Sequence, residues 1–114
     1  MIDRKERMER NEAVFRALNE RARRVAQDLA LDGVADEPEL SECVCECADA
    51  DCVARVLVRP ADYELARAHA ARFIVARDHV VPEIERVILE LEGCLIVEKH
   101  PGERKIPIAT DPRA

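Results

Sequence analysis

Four cysteines, Cys43, Cys45, Cys47 and Cys52, fall within ten residues in the pattern C-x-C-x-C-x4-C. Nothing else in the chain constrains its fold as tightly. A fifth, Cys94, stands apart. The N-terminal residues MIDRKERMERNE are charged and lack the apolar stretch of a secretory signal. No apolar run approaches the ~18 residues a membrane span needs. The expected compartment is a reducing cytoplasm, where clustered cysteines are metal ligands more often than disulfides.

Composition gives a reason for a metal. Of 114 residues, 48% are hydrophobic but only 3% are aromatic: Phe15, Tyr63 and Phe73, with no Trp. Much of the remainder is Ala and Val, which bury little area each at roughly 25 cal/mol per Å². Such a chain has a thin core and gains from a staple, for which a structural metal ion is a common solution.

Strand geometry narrows the ligand set for a tetrahedral zinc site. Residues two apart in a strand are roughly 6–7 Å apart and point to one face, so Cys45 and Cys47 can share an ion. Cys43 lies roughly 13 Å from Cys47 by the same measure and reads as an apolar strand residue. A turn over 48–51 can return Cys52 toward Cys47. The fourth ligand must come from His69, His79, His100 or Cys94. His69 sits within an Ala-rich helical segment, His100 precedes the tail, and Cys94 opens an apolar strand. His79 stands in a short turn ahead of Pro82, where a side chain can be fixed.

Along the chain, residues 4–30 predict one helix. Met8, Asn11, Phe15, Leu18, Ala22, Val25 and Leu29 recur at alternating spacings of three and four, a heptad seam containing one Asn. Gly33 marks its end. Residues 42–47 and 53–58 predict a β-hairpin around a polar turn. Pro60 opens a helix over 61–71, residues 73–76 form a strand, Pro82–Glu92 reads as a helix closed by Gly93, and residues 94–97 form a last strand. The predicted class is α+β: a long N-terminal helix followed by a small zinc-stapled domain with a β-hairpin, two further short strands and two helices. The predicted division is 4–32 for the amphipathic helix, 40–100 for the zinc-binding α+β domain, and 101–114 for an irregular C-terminal tail.

The segments RNEAVFRALNER (10–21), CECADADC (45–52), ADYELARAH (61–69), RFIVARDH (72–79), PEIERV (82–87) and LIVEK (95–99) together resemble a family of short bacterial proteins, common in actinobacteria, for which no activity is established. The resemblance runs in order over most of the chain. Its most specific element is C-E-C with a third Cys five positions on, followed by R-F-x-V-x-x-x-H. It implies Cys45, Cys47, Cys52 and His79 as the Zn2+ ligands. The family usually carries Phe at the position of Cys43 and no Cys at that of Cys94. Its usual Gly is Ala48 here.

The charge distribution bears on partners. Net charge is −6, and residues 31–52 carry eight acids and no Lys or Arg. That block does not suit a phosphate backbone, and the scarcity of aromatics does not suit base stacking. Nucleic acid and membrane are therefore not expected partners. There is no H-E-x-x-H, no Walker loop and no G-x-S-x-G, and the three glycines leave little for phosphate-cradling loops. The expected role is a structural-zinc protein–protein interaction module rather than an enzyme. Its partner, a protein or a second copy, would meet the N-terminal helix through Phe15, Leu18, Ala22 and Val25, with Asn11 setting register. The alternative is a zinc-thiolate redox switch with Cys43 and Cys94 as candidate resolving thiols. A transcription-related role is a further alternative.

Overall fold

The computed structural model describes residues 2–114. A 28-residue helix, α1 (Arg4–Leu31), comes first, then the strands β1 (Ser41–Val44) and β2 (Arg55–Val58). Helix α2 (Pro60–Arg67) and strand β3 (Arg72–Val75) follow, then a 3-10 turn at Arg77–His79. Strands β4 (Glu85–Glu90) and β5 (Leu95–Lys99) lead through a second 3-10 turn, Pro101–Glu103, to a short helix, α3 (Lys105–Ala109). The fold is α+β, as the sequence predicts.

The ends of α1 follow from local chemistry. Asp3 caps the N-terminus, its carboxylate accepting from the Glu6 amide at 2.8 Å. At the other end Gly33 has φ 72°, a left-handed conformation that only glycine adopts freely. The Val34 amide then donates to the Leu29 carbonyl, and the Gly33 amide to that of Ala30. This is a Schellman closure.

Two antiparallel sheets carry the rest. β1 and β2 form a hairpin in the register Cys43↔Val56. β3, β5 and β4 form a three-stranded sheet with β5 in the centre. One apolar cluster joins the hairpin, α2 and the sheet through Cys43, Val56, Val58, Tyr63, Ala66, Ile74, Cys94 and Ile96. A second gathers Phe73, Val75, Leu95 and Val97 against Cys45 and Cys47.

The segment Pro82–Glu92, expected as a helix, is instead mostly strand β4, paired with β5 from Glu85↔Lys99 to Glu90↔Leu95. Ile84, Val87, Ile88 and Leu91 do fit a 3.6-residue period. A bulge between Val87 and Leu89 breaks strict alternation and produces that spacing. The β-branched residues and the adjacent apolar run 94–97 favour a hairpin. Gly93 therefore sits in the turn of that hairpin, across which the Leu91 amide donates to the Cys94 carbonyl. Residues 101–114, expected to be irregular, contain α3. Pro107 is tolerated there because it lies in the first turn, where amides need no helical partner.

Gly93 also lets the two sheets meet. A Cβ placed on it would come within 2.5 Å of the Leu57 carbonyl oxygen, a backbone atom of β2. Gly93→Ala is expected to cost about 1–3 kcal/mol through overpacking, read as a lowered thermal midpoint. Gly102→Ala, which meets nothing within 4 Å, is the control and should leave the midpoint unchanged.

The face by which α1 docks is polar. Its buried residues are Glu9, Glu12, Arg16, Asn19 and Glu20, at the three- and four-residue spacing of one helix face. Glu12, Arg16, Asn19 and Glu20 each meet polar partners. Lys99, fully buried over the Phe73 ring, donates to Glu12 and Glu85, both at 2.6 Å. Arg16 stacks over the Phe73 ring, 4.5 Å from its centroid, and donates to the carbonyls of Ala70 and Pro107. Glu20 accepts from the Tyr63 hydroxyl at 2.8 Å and from Arg113 at 2.6 Å, which ties the C-terminal residues to α1. Burial is acceptable for Glu12, Arg16 and Glu20 because each is hydrogen-bonded, whereas one carboxylate oxygen of Glu9 is buried without a partner. Desolvation nonetheless pushes Glu9 up to about 7.

Candidate metal centre

The residues after β1 stay extended but change partners. The Cys45 amide donates to the Ala54 carbonyl at 3.1 Å, and the Glu46 amide to Ile74 of β3 at 2.8 Å. An extended backbone sends alternate side chains to opposite faces. Cys45 and Cys47 thus face one way and Glu46 the other. Residues 48–52 then turn back: the Asp51 amide donates to the Asp49 carboxylate at 2.9 Å, and the Cys52 amide to the Asp49 carbonyl at 3.1 Å. This Asx-type turn places Cys52 beside the first two thiols. The 3-10 turn after β3, closed by the His79 amide on the Ala76 carbonyl at 3.0 Å, brings His79 over them.

The four donor atoms of Cys45, Cys47, Cys52 and His79 lie within 4.8 Å of one another, and together they can hold a metal ion. His79 Nδ1 is 3.4 Å from the Sγ of both Cys45 and Cys52. Around a tetrahedral ion with metal–sulfur bonds of about 2.3 Å and a metal–nitrogen bond of about 2.0 Å, sulfur and nitrogen ligands stand about 3.5 Å apart. The observed separations match that edge. The Ala76 amide donates to the Cys45 sulfur at 3.2 Å, a contact that favours the thiolate form. Cys47 is pulled below the ordinary thiol range, first by its hydrogen bond with Cys45 and against the effect of burial. Cys45 is pushed up by that same hydrogen bond and by desolvation. A metal ion would relieve the conflict by accepting all three as thiolates.

Cys45 and Cys47 are buried, while Cys52 and His79 are half-buried. The site therefore lies just beneath the surface. An open cleft of about 420 Å³ beside it is lined by Cys47 and His79 together with Arg7, Met8 and Asn11 of α1.

The other candidate ligands lie elsewhere. Cys43 and Cys94 are buried in the first apolar cluster, where desolvation pushes their thiols up to about 12 and about 11. His69 is exposed at the end of α2. His100 Nε2 donates to the Pro82 carbonyl at 2.8 Å.

Sequence reasoning missed the opposite face of the knuckle. Glu46 is completely buried, with Arg67 at 2.6 Å, Asn19 Nδ2 at 2.7 Å and the Ile74 amide at 2.9 Å. Arg67 also stacks over the Tyr63 ring. Burial acts to lower the Arg67 pKa, but the Glu46 carboxylate, with Tyr63 and Glu20, outweighs it and the pKa is raised. Asn19 additionally exchanges two hydrogen bonds with the Val44 backbone, at 2.8 and 2.9 Å, as a neighbouring strand would. Asn11, read from sequence as a register residue in a partner seam, donates to the Ala48 carbonyl at 2.9 Å. Two asparagines of α1 thus clamp the backbone on either side of Cys45 and Cys47. The signal was present as a second three–four repeat in α1, made of Glu9, Glu12, Arg16 and Asn19, beside the apolar one.

The remaining seam residues are divided. Phe15 is half-buried, whereas Leu18, Ala22 and Val25 are exposed. Among the described residues, no helix is long and apolar enough to cross a membrane. No family model, curated protein or solved structure matches the chain.

Proposed function

We propose that the chain is a structural-zinc interaction module, in which Zn2+ bound by Cys45, Cys47, Cys52 and His79 locks the 45–52 knuckle beneath α1. The observation that carries the reading is the Cys3His quartet, with His79 Nδ1 3.4 Å from two of the three sulfurs. Three soft thiolates and an imidazole favour zinc over hard, oxygen-seeking ions. Four protein ligands close the tetrahedron and leave no position for a reacting water, which supports a structural rather than a hydrolytic centre. The surface held in place is the outer side of α1. There Val14, Leu18 and Val25 are each more than half exposed, while the side facing the domain is charged. An exposed apolar stripe of this kind is the surface offered to a partner.

Metal analysis tests the centre. Protein purified without chelators is expected to carry one equivalent of zinc, and zinc-edge absorption is expected to fit three sulfurs and one nitrogen. Less than half an equivalent, or a four-sulfur shell, overturns the assignment.

A further inference from the structure

One buried oxygen on the docking side of α1 has no donor. Glu9 is only 5% exposed, yet its Oε1 makes no hydrogen bond among the described residues. A buried polar atom left unpaired is costly. On the sheet side stands Lys99 of β5, but it donates to Glu12 and to Glu85 of β4, each at 2.6 Å. The group within hydrogen-bond reach of Glu9 is another carboxylate, that of Glu103 in the second 3-10 turn. Both line a cleft of about 730 Å³ between the start of α1 and α3. The basic groups that α1 contributes to this cleft have other partners. Lys5 donates to Glu103 at 2.8 Å, Arg10 to Glu6 at 2.9 Å and Arg4 to Glu83 at 2.8 Å. Lys105 of α3 is exposed, and Asp3 adds a further negative charge that acts on Glu9.

Two carboxylates in contact do not both ionise, and one proton between them turns repulsion into a bond. The surroundings decide which of them owns it. Burial first, then the contact with Glu103, pushes Glu9 up to about 7. Glu103 is half-buried, and Lys5 holds its carboxyl below the usual range. We infer that Glu9 carries the proton in a hydrogen bond to the Glu103 carboxylate, and that this acid–carboxylate pair is a pH-sensitive latch holding residues 101–106 against α1. A bond of this kind is charge-assisted, roughly twice as strong as a neutral one, and it satisfies the orphan oxygen. Two other ties seat the C-terminal residues on the same face of α1. Arg16 donates to the Pro107 carbonyl at 2.9 Å and to the Thr110 hydroxyl at 3.1 Å, and Arg113 donates to Glu20 at 2.6 Å. Neither arginine titrates near neutrality, so the latch is the tie that responds to pH. The closed form binds a proton that the open form releases. The stabilisation is therefore fully present below the ordinary carboxylate value of 4.5 and is lost as pH rises through about 7. Above that, two negative charges face each other and the 3-10 turn lifts, while Arg16 and Arg113 keep the rest of the segment in place.

Carbon-13 NMR of the side-chain carboxyls, joined to amide exchange on the full chain between about pH 6 and about pH 8, tests the latch. Glu9 is expected to titrate near 7. The reporter amide is that of Glu103, which donates to the His100 carbonyl at 2.8 Å. Its opening constant, corrected for the intrinsic pH dependence of exchange, should rise about fivefold across that range, while the amides of β5 stay unchanged. Glu9→Gln puts a permanent N–H donor in place of the proton. Exchange at Glu103 should then stay at its closed level at every pH. Glu103→Gln removes the like charge and supplies a donor, so the Glu9 midpoint should fall by about one pH unit or more. A wild-type Glu9 that titrates in the ordinary carboxylate range overturns the proposal, and so does exchange at Glu103 that is flat with pH. A Glu9 midpoint unmoved by Glu103→Gln assigns the shift to burial alone and overturns the shared proton. The wild-type measurements decide the matter even if neither variant folds.

Discussion

Removal of the metal with a strong chelator is expected to lower the thermal midpoint by about 15 °C or more, and Cys47→Ser is expected to do the same without chelator. The magnitude follows from what the metal replaces. Residues 45–52 belong to no helix or strand and are held by few backbone hydrogen bonds of their own. Without an ion, Cys45 and Cys47 are left as buried thiols, with the His79 imidazole 3.4 Å from the Cys45 sulfur. Structural zinc sites in small domains supply about 10–16 kcal/mol of apparent binding free energy, most of it spent on folding. If about 4 kcal/mol of that is net stability here, the midpoint shift is roughly 15 °C for a domain of this size. The loss should spread along a definite route. Asn11 and Asn19 grip the backbone at Ala48 and Val44, so the disordered knuckle releases the middle of α1. Amide exchange should therefore accelerate at Cys45, Glu46 and Ala76 and along α1 as far as Asn19, while β4 and β5 stay protected. Circular dichroism melts with and without chelator, combined with exchange mass spectrometry, measure both effects. A shift under about 3 °C would show that the apolar clusters carry the fold alone.

The three cysteines of the quartet were legible in the sequence because their determinants are local, whereas His79 was one of four candidates and was singled out by the resemblance. The two-residue spacing puts Cys45 and Cys47 on one face, and the acidic turn at Asp49 and Asp51 returns Cys52. His79 sits in a turn fixed between Val75 and Pro82. The ends of α1 were legible for the same reason, since Gly33 is read by its immediate neighbours. The segment Pro82–Glu92 was not. Its apolar spacing fits a helix as well as a bulged strand, and only pairing with Leu95–Lys99 decides between them. The docking side of α1 was hidden for a further reason. The helix carries two interleaved repeats, one apolar and one polar, and the usual expectation assigns the apolar one to the core. The polar repeat is the buried one because of residues far along the chain: Lys99 for Glu12, Tyr63 and Arg113 for Glu20, and Val44 and Glu46 for Asn19. No local pattern announces partners that are 25 to 93 residues away.

Glu46 is where these two parts of the molecule are joined, and its truncation is the second large effect. Glu46→Ala is expected to cost about 3–5 kcal/mol, the range for removing one partner of a buried ion pair. The change leaves the Arg67 guanidinium without its carboxylate, and the Ile74 amide and one of the two side-chain N–H groups of Asn19 without an acceptor. Water cannot readily replace it, since both Glu46 and Arg67 are buried. Glu46→Gln should cost less, because one amide oxygen can still accept from Arg67 and Ile74. It cannot be neutral. Its NH2 group would face the Asn19 NH2, and Asn19 cannot turn over without losing both hydrogen bonds to Val44. Arg67→Met should be harmful alone yet milder when combined with Glu46→Gln. Urea denaturation of the four proteins should then give a coupling energy of about 2–3 kcal/mol. Additive losses would mean that the two side chains act independently, despite the 2.6 Å between them. Because Glu46 stands between two of the proposed zinc ligands, its variants should also release zinc to a competing chelator faster than the wild type while binding the same single equivalent. That combination, unchanged stoichiometry with faster loss, is the signature of a residue that holds the ligand backbone in place from the face opposite the metal.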